Sequence, residues 1–206
     1  KGEAGKTPLD LARGHSQMVH FFMERTEVAA KLEIAAQTND PEEIEKLIDS
    51  GVNVDAVDST GRPALYIAAI HGSLEVLQVL RRRGANLDAT TLDATTLAGS
   101  TALMGAAGRA MTACAEYLLD QGANVNAVAN NGKTALMIAI ATGAPGMVRL
   151  LLGRGANLNA KDEKGRSAID FAKRAQNPQI EALLRQRPGW LELMEAAKIG
   201  DVARIQ

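Results

Sequence analysis

The feature that most constrains the fold of this chain is a repeat with a period of 33 residues. Gly122 begins the sequence Gly-Ala-Asn-Val-Asn-Ala, and Gly155, 33 positions later, begins Gly-Ala-Asn-Leu-Asn-Ala. Gly51 and Gly84 mark two earlier copies, also 33 residues apart, whereas Gly84 and Gly122 are 38 residues apart. Periods of this length are typical of solenoids, in which similar units stack against one another. A glycine at this place also suits the left-handed residue that ends a helix.

The unit from 122 to 155 contains the pattern of two short helices. Residues 135–142 form an apolar segment rich in alanine, and residues 146–153 carry apolar side chains over a broad face. The break Gly-Ala-Pro at 143–145 separates the two segments. Neither helix can bury its apolar side alone, so the unit needs neighbouring copies.

Three prolines support this division into helices. Pro41, Pro145 and Pro178 are predicted to begin second helices, because the missing N–H of proline would be unsatisfied there in any case. Asp40 and Asn177 immediately precede two of these prolines and are predicted to be N-caps.

A short motif recurs before each first helix. It is Thr-Pro-Leu at 7–9, Pro-Ala-Leu at 63–65, Thr-Ala-Leu at 101–103 and 134–136, and Ser-Ala-Ile at 167–169. With the period and the helix-ending glycines, this motif resembles the ankyrin repeat family, although the histidine that usually follows the leucine is replaced in every copy. The resemblance implies an all-α fold, an ankyrin-repeat α-solenoid. Each repeat would be a β-hairpin finger plus two antiparallel helices, and the stacked repeats would form a concave groove.

The 38-residue spacing has a visible origin in a duplicated pentapeptide. The sequence Leu-Asp-Ala-Thr-Thr occurs at 87–91 and again at 92–96, which supplies the five extra residues. The duplication falls in a finger. Loop insertions cost little free energy and, in solenoids, map to one face. We therefore expect a longer finger and an undisturbed stack of helices.

Two junctions leave no room for a finger. At 24–27 and at 187–190, one second helix runs almost directly into the next first helix. We therefore expect residues 1–27 to be the C-terminal part of a preceding repeat or module and 28–187 to be a five-repeat ankyrin module. Residues 188–206 would be the start of a following repeat of the kind that opens a module.

Composition limits the classes of function. The chain has 206 residues, 46% of them hydrophobic, with a net charge of −1 and 3% aromatic residues. Without a net basic charge or interleaved aromatic residues, no nucleic-acid partner is expected. No apolar run approaches the ~18 residues of a membrane helix, so no membrane partner is expected either. The single cysteine, Cys114, excludes an internal disulfide framework and favours a cytoplasmic (intracellular) location.

The small net charge conceals a gradient along the chain. Residues 1–60 carry a net charge of −6, and residues 131–206 carry +5. If modules follow one another without fingers, the basic end of one copy would meet the acidic start of the next. This pattern predicts weak, salt-sensitive head-to-tail self-association.

Some motifs have both a chemical and a structural interpretation. Gly-Lys-Thr at 5–7 and at 132–134 resembles the end of a phosphate-binding loop, but the earlier glycine that the loop requires is replaced by Ala127 in the second copy. A threonine N-cap explains both copies. Cys114 aligns with core positions, and the three histidines lack metal-ligand spacing. We therefore expect no catalytic, cofactor-binding or metal-binding residue.

The remaining candidate site is a surface for a partner protein. In the family, fingers and first helices line the groove, and this resemblance points to the residues that vary there. The predicted surface consists of Ser59, Thr60, Arg62, Tyr66, His71, Ser100, Arg109, Asn130, Asn131, Lys133, Thr142, Glu163, Lys164, Arg166 and Arg174. Its polar and cationic character suits a partner with acidic or polar features. The expected function is a non-catalytic protein–protein interaction module. The alternative is a regulatory or spacer segment of a larger enzyme whose catalytic domain lies outside this chain.

Overall fold

The computed structural model of the chain describes residues 28–92 and 98–186, and these residues contain ten helices in five consecutive pairs. The helices are α1 (28–38), α2 (Pro41–Asp49), α3 (Ala64–His71), α4 (Leu74–Arg82), α5 (Ala102–Gly108), α6 (Thr112–Asp120), α7 (Ala135–Ala141), α8 (Pro145–Gly153), α9 (Ala168–Ala175) and α10 (Pro178–Arg185). Odd-numbered helices are the first helices of repeats 1 to 5, and even-numbered helices are the second. The predicted divisions 1–27 and 188–206 lie outside the described residues.

The pairs stack into a helical solenoid, as the sequence predicts. Along the first-helix row, α3 contacts α5, α5 contacts α7 and α7 contacts α9. Along the second-helix row, α2, α4, α6, α8 and α10 contact one another in the same order. Each repeat therefore buries its apolar faces against its neighbours in the chain.

The core lies between these two rows and repeats with the sequence. Each second helix buries a leucine at an equivalent position: Leu47, Leu80, Leu118, Leu151 and Leu184. Each first helix buries an equivalent alanine: Ala35, Ala68, Ala106, Ala139 and Ala172. The small alanines let successive first helices approach closely, and the leucines fill the space between the rows.

The helix boundaries follow the local signals in the sequence. Pro41, Pro145 and Pro178 stand in the first turns of α2, α8 and α10, and the side chains of Asp40 and Asn177 accept backbone N–H groups there. Both predictions are confirmed. The four glycines that mark the period have φ between 83° and 97°, which confirms their role in ending the second helices.

The fingers connect one helix pair to the next. They are finger 2 (57–63), finger 3 (90–101, described except for 93–97), finger 4 (128–134) and finger 5 (161–167). Within the described residues their β-structure amounts to two isolated antiparallel bridges, Val57 with Pro63 and Lys161 with Ser167. The fingers are tight turns there, and no extended hairpin strands are assigned.

Finger 3 accommodates the duplicated pentapeptide without disturbing the stack. In finger 2, the N–H of Asp58 donates to the carbonyl of Arg62 over 3.0 Å. In finger 3 the equivalent bond joins the N–H of Thr91 to the carbonyl of Ser100, also over 3.0 Å. The five extra residues lie between these closing partners, while α3 and α5 still pack directly together. The predicted undisturbed stack is confirmed, and residues 93–97 of the predicted longer finger lie outside the described residues.

Backbone hydrogen bonds also join each finger to the next. The N–H groups of Leu92, Asn130 and Glu163 donate to the carbonyls of Gly61, Ala98 and Asn131, over 2.7, 3.0 and 3.0 Å. Finger 5 also approaches finger 4 so closely that a Cβ atom at Gly132 would lie 2.7 Å from the Cα of Asp162. The four fingers therefore form one continuous row beside the first helices.

Candidate partner-binding surface

The ends of the first helices bring four of the predicted surface residues into one row. His71 is the last residue of α3, Arg109 directly follows α5, Thr142 directly follows α7, and Arg174 lies in the last turn of α9. All four are exposed. We call these four residues the helix-end row.

Arg109 and Arg174 form no ion pair or side-chain hydrogen bond with other described residues. Thr142 instead donates its hydroxyl to the carbonyls of Ile138 and Ala139, both over 3.1 Å. The helix-end row therefore combines two available guanidinium groups with a hydroxyl that caps its own helix.

The fingers present a second set of predicted residues. Ser59, Thr60, Asn130, Glu163 and Lys164 are exposed at the finger tips. Two further predicted residues, Asn131 and Lys133, are half-buried in finger 4. Because each finger leads directly into the first helix of its repeat, the row of fingers and the row of first helices lie next to each other.

Arg62 is half-buried, and its guanidinium is bound by two carboxylates of the protein. Its Nε donates to Oδ2 of Asp58 over 2.7 Å, and its Nη2 donates to Oε1 of Glu33 in repeat 1 over 2.9 Å. Burial raises the pKa of Asp58, but hydrogen bonds from Arg62 and Thr60 outweigh burial and bring that pKa below its ordinary value. Burial lowers the pKa of Arg62, and the ion pair with Asp58 reverses this effect, so that pKa is raised.

Arg166 makes the same arrangement in finger 5. Its Nε and Nη2 donate to Oδ2 of Asp162 over 2.8 and 2.6 Å, and its guanidinium lies 4.8 Å from the ring centroid of Phe171. Burial raises the pKa of Asp162, but bonds from Arg166 and Lys164 lower that pKa more strongly. Both arginines therefore stabilise their own fingers, and their contact with a partner stays a prediction.

Two other predicted residues lie deeper than the sequence suggests. Ser100 is 1% exposed, and its hydroxyl has no hydrogen-bond partner. It occupies the position of Arg62 and Arg166, but its side chain is too short to reach the surface. Ser100 is therefore removed from the predicted surface.

Tyr66 is half-buried against α5. A Cβ atom at Gly105 would lie 2.9 Å from the ring of Tyr66 and 2.7 Å from the side chain of Ile70. Sequence reasoning missed Gly105, although a glycine where other repeats have Ile67 or Ile138 is a visible signal of close approach.

The charged residues of the second helices are largely paired with one another. Arg82 pairs with Glu45, and Arg83 pairs with Asp49 in the preceding repeat. Arg154 pairs with Asp120 over 2.7 Å in the same way. These ion pairs connect repeat 1 with repeat 2 and repeat 3 with repeat 4. The arginines at the end of α4 therefore hold neighbouring repeats together.

The motifs with alternative chemical interpretations have structural roles. Thr134 is the N-cap of α7 and accepts the N–H of Met137, as the cap interpretation of Gly-Lys-Thr predicts. Cys114 is buried in α6, and burial raises the pKa of its thiol. Across residues 28–92 and 98–186, no three His, Cys, Asp or Glu side chains are grouped to hold a metal ion. In the same residues, no helix is long and apolar enough to cross a membrane.

The fold and its regular rows of fingers and helices define a helical repeat protein, and comparison with known proteins specifies the family. One family model, described as "Ankyrin repeats (3 copies)", matches residues 89–162, and another, "Ankyrin repeats (many copies)", matches residues 32–81. Together these ranges span more than half of the chain. The chain belongs to the ankyrin repeat family.

A curated relative extends this comparison. The chain is 32% identical over 117 residues to the B-cell lymphoma 3 protein homolog of Mus musculus. The match covers 56% of this chain and 25% of that protein, so the chain spans about a quarter of the length of the relative. Ankyrin repeats generally are protein–protein interaction modules.

Proposed function

We propose that this chain is a non-catalytic scaffold module that binds a partner protein through its fingers and first helices. The observation that carries this proposal is the helix-end row: four exposed side chains at the C-terminal ends of the first helices of repeats 2 to 5. A partner that lies along the stack contacts one such residue in each repeat. The second helices support the choice of surface by contrast, because several of their charges are already paired between repeats.

The test compares this surface with the second helices. The surface variant replaces Arg109, Asn130, Thr142 and Arg174 with alanine; all four are exposed. The matched control replaces Glu75, Gln78, Ala113 and Arg149, exposed residues of second helices, with alanine or, at Ala113, serine. Partners are captured with the unaltered chain, purified, and their affinities measured by calorimetry.

We expect the surface variant to weaken partner binding at least tenfold and the control to leave the affinity within twofold. The reverse pattern would assign binding to the second helices and contradict the proposal. Arg62 and Arg166 are left unaltered, because their loss would disturb fingers 2 and 5 and mimic a binding defect.

The proposal includes no reaction and no cofactor. It is supported by the family, whose members typically are non-catalytic, and by the structural roles of Thr134 and Cys114. The location that fits a single buried thiol is the cytoplasm, and neither nucleic acid nor membrane is among the proposed partners. A turnover screen of the purified chain that found a saturable activity would favour the alternative of an enzyme segment.

Weak head-to-tail self-association is a further part of the proposal. Arg174 is exposed in repeat 5, and Glu42 is exposed in repeat 1, so opposite charges stand at the two ends of the described stack. Exposed pairs contribute only about 0–1 kcal/mol each, and a head-to-tail contact need not close into a ring. Sedimentation at low salt should show reversible association that disappears at high salt. A strictly monomeric species at low salt and high concentration would contradict the proposed self-association.

A further inference from the structure

Unpaired cations are concentrated on one side of repeats 3, 4 and 5. Arg109, Lys133 and Arg174 lie on the surface of fingers and first helices, and none of them forms an ion pair with another described residue. Two carboxylates of repeat 5 are already engaged, whereas Glu163 is exposed in finger 5. Asp162 is bound to Arg166, and Asp170 accepts the N–H and hydroxyl of Ser167.

Part of this pattern has a structural explanation, and part does not. Arg109 and Arg174 stand at helix C-termini, where the helix dipole favours a cation. Lys133 lies in finger 4, where no helix ends, and its side chain is half-buried with no carboxylate four residues before it, since that position is Ala129. Finger 5 places Asp162 at this position, and that aspartate neutralises Arg166. The excess of positive charge on repeats 3 to 5 is therefore more than capping.

The first helices carry small side chains between these cations. Gly108 and Ala141 occupy equivalent positions near the ends of α5 and α7, where repeat 2 has Ile70 and repeat 5 has Arg174. Side chains this small let an extended backbone come close to the first helices. Arg109 and Arg174 then lie at the two ends of this row of small side chains, and Lys133 lies in finger 4.

From this arrangement we infer that the partner presents an acidic segment in extended conformation, with carboxylates that pair with Arg109, Lys133 and Arg174. This inference rests on the proposed function and specifies the chemistry of its partner. Packed helices lie about 8–10 Å apart, so first-helix ends two repeats apart are separated by roughly 16–20 Å. An extended chain rises about 3.3 Å per residue, so about six residues connect the outer cations.

A peptide fits these observations better than a nucleic acid. The chain has a net charge of −1, and the described part of the surface also exposes Glu163 in finger 5. Within residues 28–92 and 98–186, this side offers a phosphate backbone few unpaired cations and no row of aromatic residues on which bases could stack. Nucleic acid is nevertheless an outcome that the experiment below separates.

The experiment uses hexaglutamate as the probe and hexaglutamine as its uncharged match. Backbone amide shifts of the isotope-labelled chain are followed at low salt as each peptide is added. We expect hexaglutamate to perturb the ends of α5 and α9 and finger 4, and to bind at least fivefold more weakly at tenfold higher salt. Hexaglutamine should cause no saturable change.

Charge reversal at the three cations supplies the decisive variant. The R109E/K133E/R174E variant should lose at least tenfold in affinity for hexaglutamate. The matched control R149E reverses another exposed arginine that lacks an ion pair among the described residues, but lies on α8, and should stay within twofold. If the triple charge reversal unfolds the chain, R109Q/K133Q/R174Q provides the same comparison with a milder change.

Three results would overturn the inference. The first is that hexaglutamine binds as tightly as hexaglutamate, and the second is that only R149E loses hexaglutamate binding. The third is that hexathymidylate, the nucleic-acid probe, binds more tightly than hexaglutamate and with the same dependence on the three cations. Binding of a natural partner to the two sets of variants distinguishes failure of this inference from failure of the proposed function. Binding lost in the alanine surface variant but unaffected by R109Q/K133Q/R174Q and by salt keeps the function and removes the acidic segment. Binding unaffected by both variants removes the function itself.

Discussion

Fingers 2 and 5 differ from fingers 3 and 4 in how they satisfy the same backbone group. Each finger leaves one N–H pointing inward, at Arg62, Ser100, Lys133 or Arg166. In fingers 2 and 5 a buried carboxylate accepts it, over 2.9 Å at Asp58 and 2.8 Å at Asp162. In fingers 3 and 4 a neutral oxygen accepts it, over 3.2 Å from Thr91 and 3.1 Å from Asn131.

This difference separates a requirement of the fold from a local choice of residue. Every finger bonds this N–H to a side-chain oxygen, because a buried donor without a partner would destabilise the turn. The charged acceptors make the shorter bonds, as ionised acceptors generally do, and recruit an arginine as well. Fingers 3 and 4 lack the aspartate–arginine ion pair of fingers 2 and 5. In finger 4 the side chain of Lys133 is therefore available to a partner. We therefore expect fingers 2 and 5 to contribute more stability than fingers 3 and 4.

The largest expected effect tests whether the difference between fingers extends into the core. Leu118 in repeat 3 and Leu151 in repeat 4 are both 0% exposed. Replacing either by alanine should lower the free energy of unfolding by about 2–5 kcal/mol through lost burial and a cavity. Denaturant unfolding measures both. A loss below about 1 kcal/mol for Leu118→Ala, with the full loss for Leu151→Ala, would show that the core of repeat 3 is less tightly packed than that of repeat 4.

The next largest effect is expected when the carboxylate of a charged finger is removed, where the charged fingers are fingers 2 and 5. Asp162→Ala removes the acceptor of two backbone N–H groups and the partner of Arg166. Hydrogen bonds to charged groups contribute about 1.5–3 kcal/mol, so we expect a loss of about 2–3 kcal/mol, limited because Arg166 can turn to solvent. Asn131→Ala in finger 4 should cost about 1 kcal/mol, since its oxygen is neutral. Equal losses in chemical denaturation would remove the distinction between the two kinds of finger.

Among the fingers, acid should weaken fingers 2 and 5 and not fingers 3 and 4. The pKa values of Asp58 and Asp162 are below their ordinary value in the folded protein. The stability that they contribute is therefore present above the unfolded-state pKa of about 3.9 and is lost as pH falls through the lower folded pKa. Unfolding curves of the unaltered chain and of D58N/D162N should converge below that range. A stability difference that stays constant from pH 7 to the most acidic condition would contradict this assignment.

The repeats and caps were predictable from the sequence, whereas the roles of several surface side chains were not. Period, proline and cap signals act within one repeat, so they define the helices without knowledge of the neighbours. The position of Ser100 and the contact of Tyr66 with Gly105 depend on how adjacent repeats approach, which no local pattern contains. The ion pairs of Arg62 and Arg166 had a visible signal, an aspartate four residues earlier in each finger, and this signal distinguishes them from Lys133.

Converting finger 4 into a charged finger sharpens the comparison in the opposite direction. Ala129 is buried at the position of Asp58 and Asp162. The double variant A129D/K133R recreates their ion pair and should raise the free energy of unfolding by about 1 kcal/mol, the net value of well-placed hydrogen bonds after desolvation. K133R alone should be neutral, and A129D alone should gain less, because a buried carboxylate needs its partner. Destabilisation by the double variant in thermal unfolding would show that finger 4 cannot close around a carboxylate.

The smallest expected effect concerns the extra residues of finger 3. Deleting residues 92–96 restores the ordinary finger length and brings Leu97 to the position of Leu92, whose N–H bonds to the carbonyl of Gly61 in finger 2. Loop length contributes weakly to stability, about 0.6 kcal/mol for each doubling, so the free energy of unfolding should change by less than about 0.5 kcal/mol. A matched deletion in finger 4, removing Asn130 and Asn131, should destabilise the chain, because it removes both the side-chain acceptor and the backbone bonds to fingers 3 and 5. If the deletion of 92–96 destabilises the chain as much, the extra residues of finger 3 support the fold. In that case the hydrogen bond to Thr91 would not be enough to stabilise finger 3 without the extra residues.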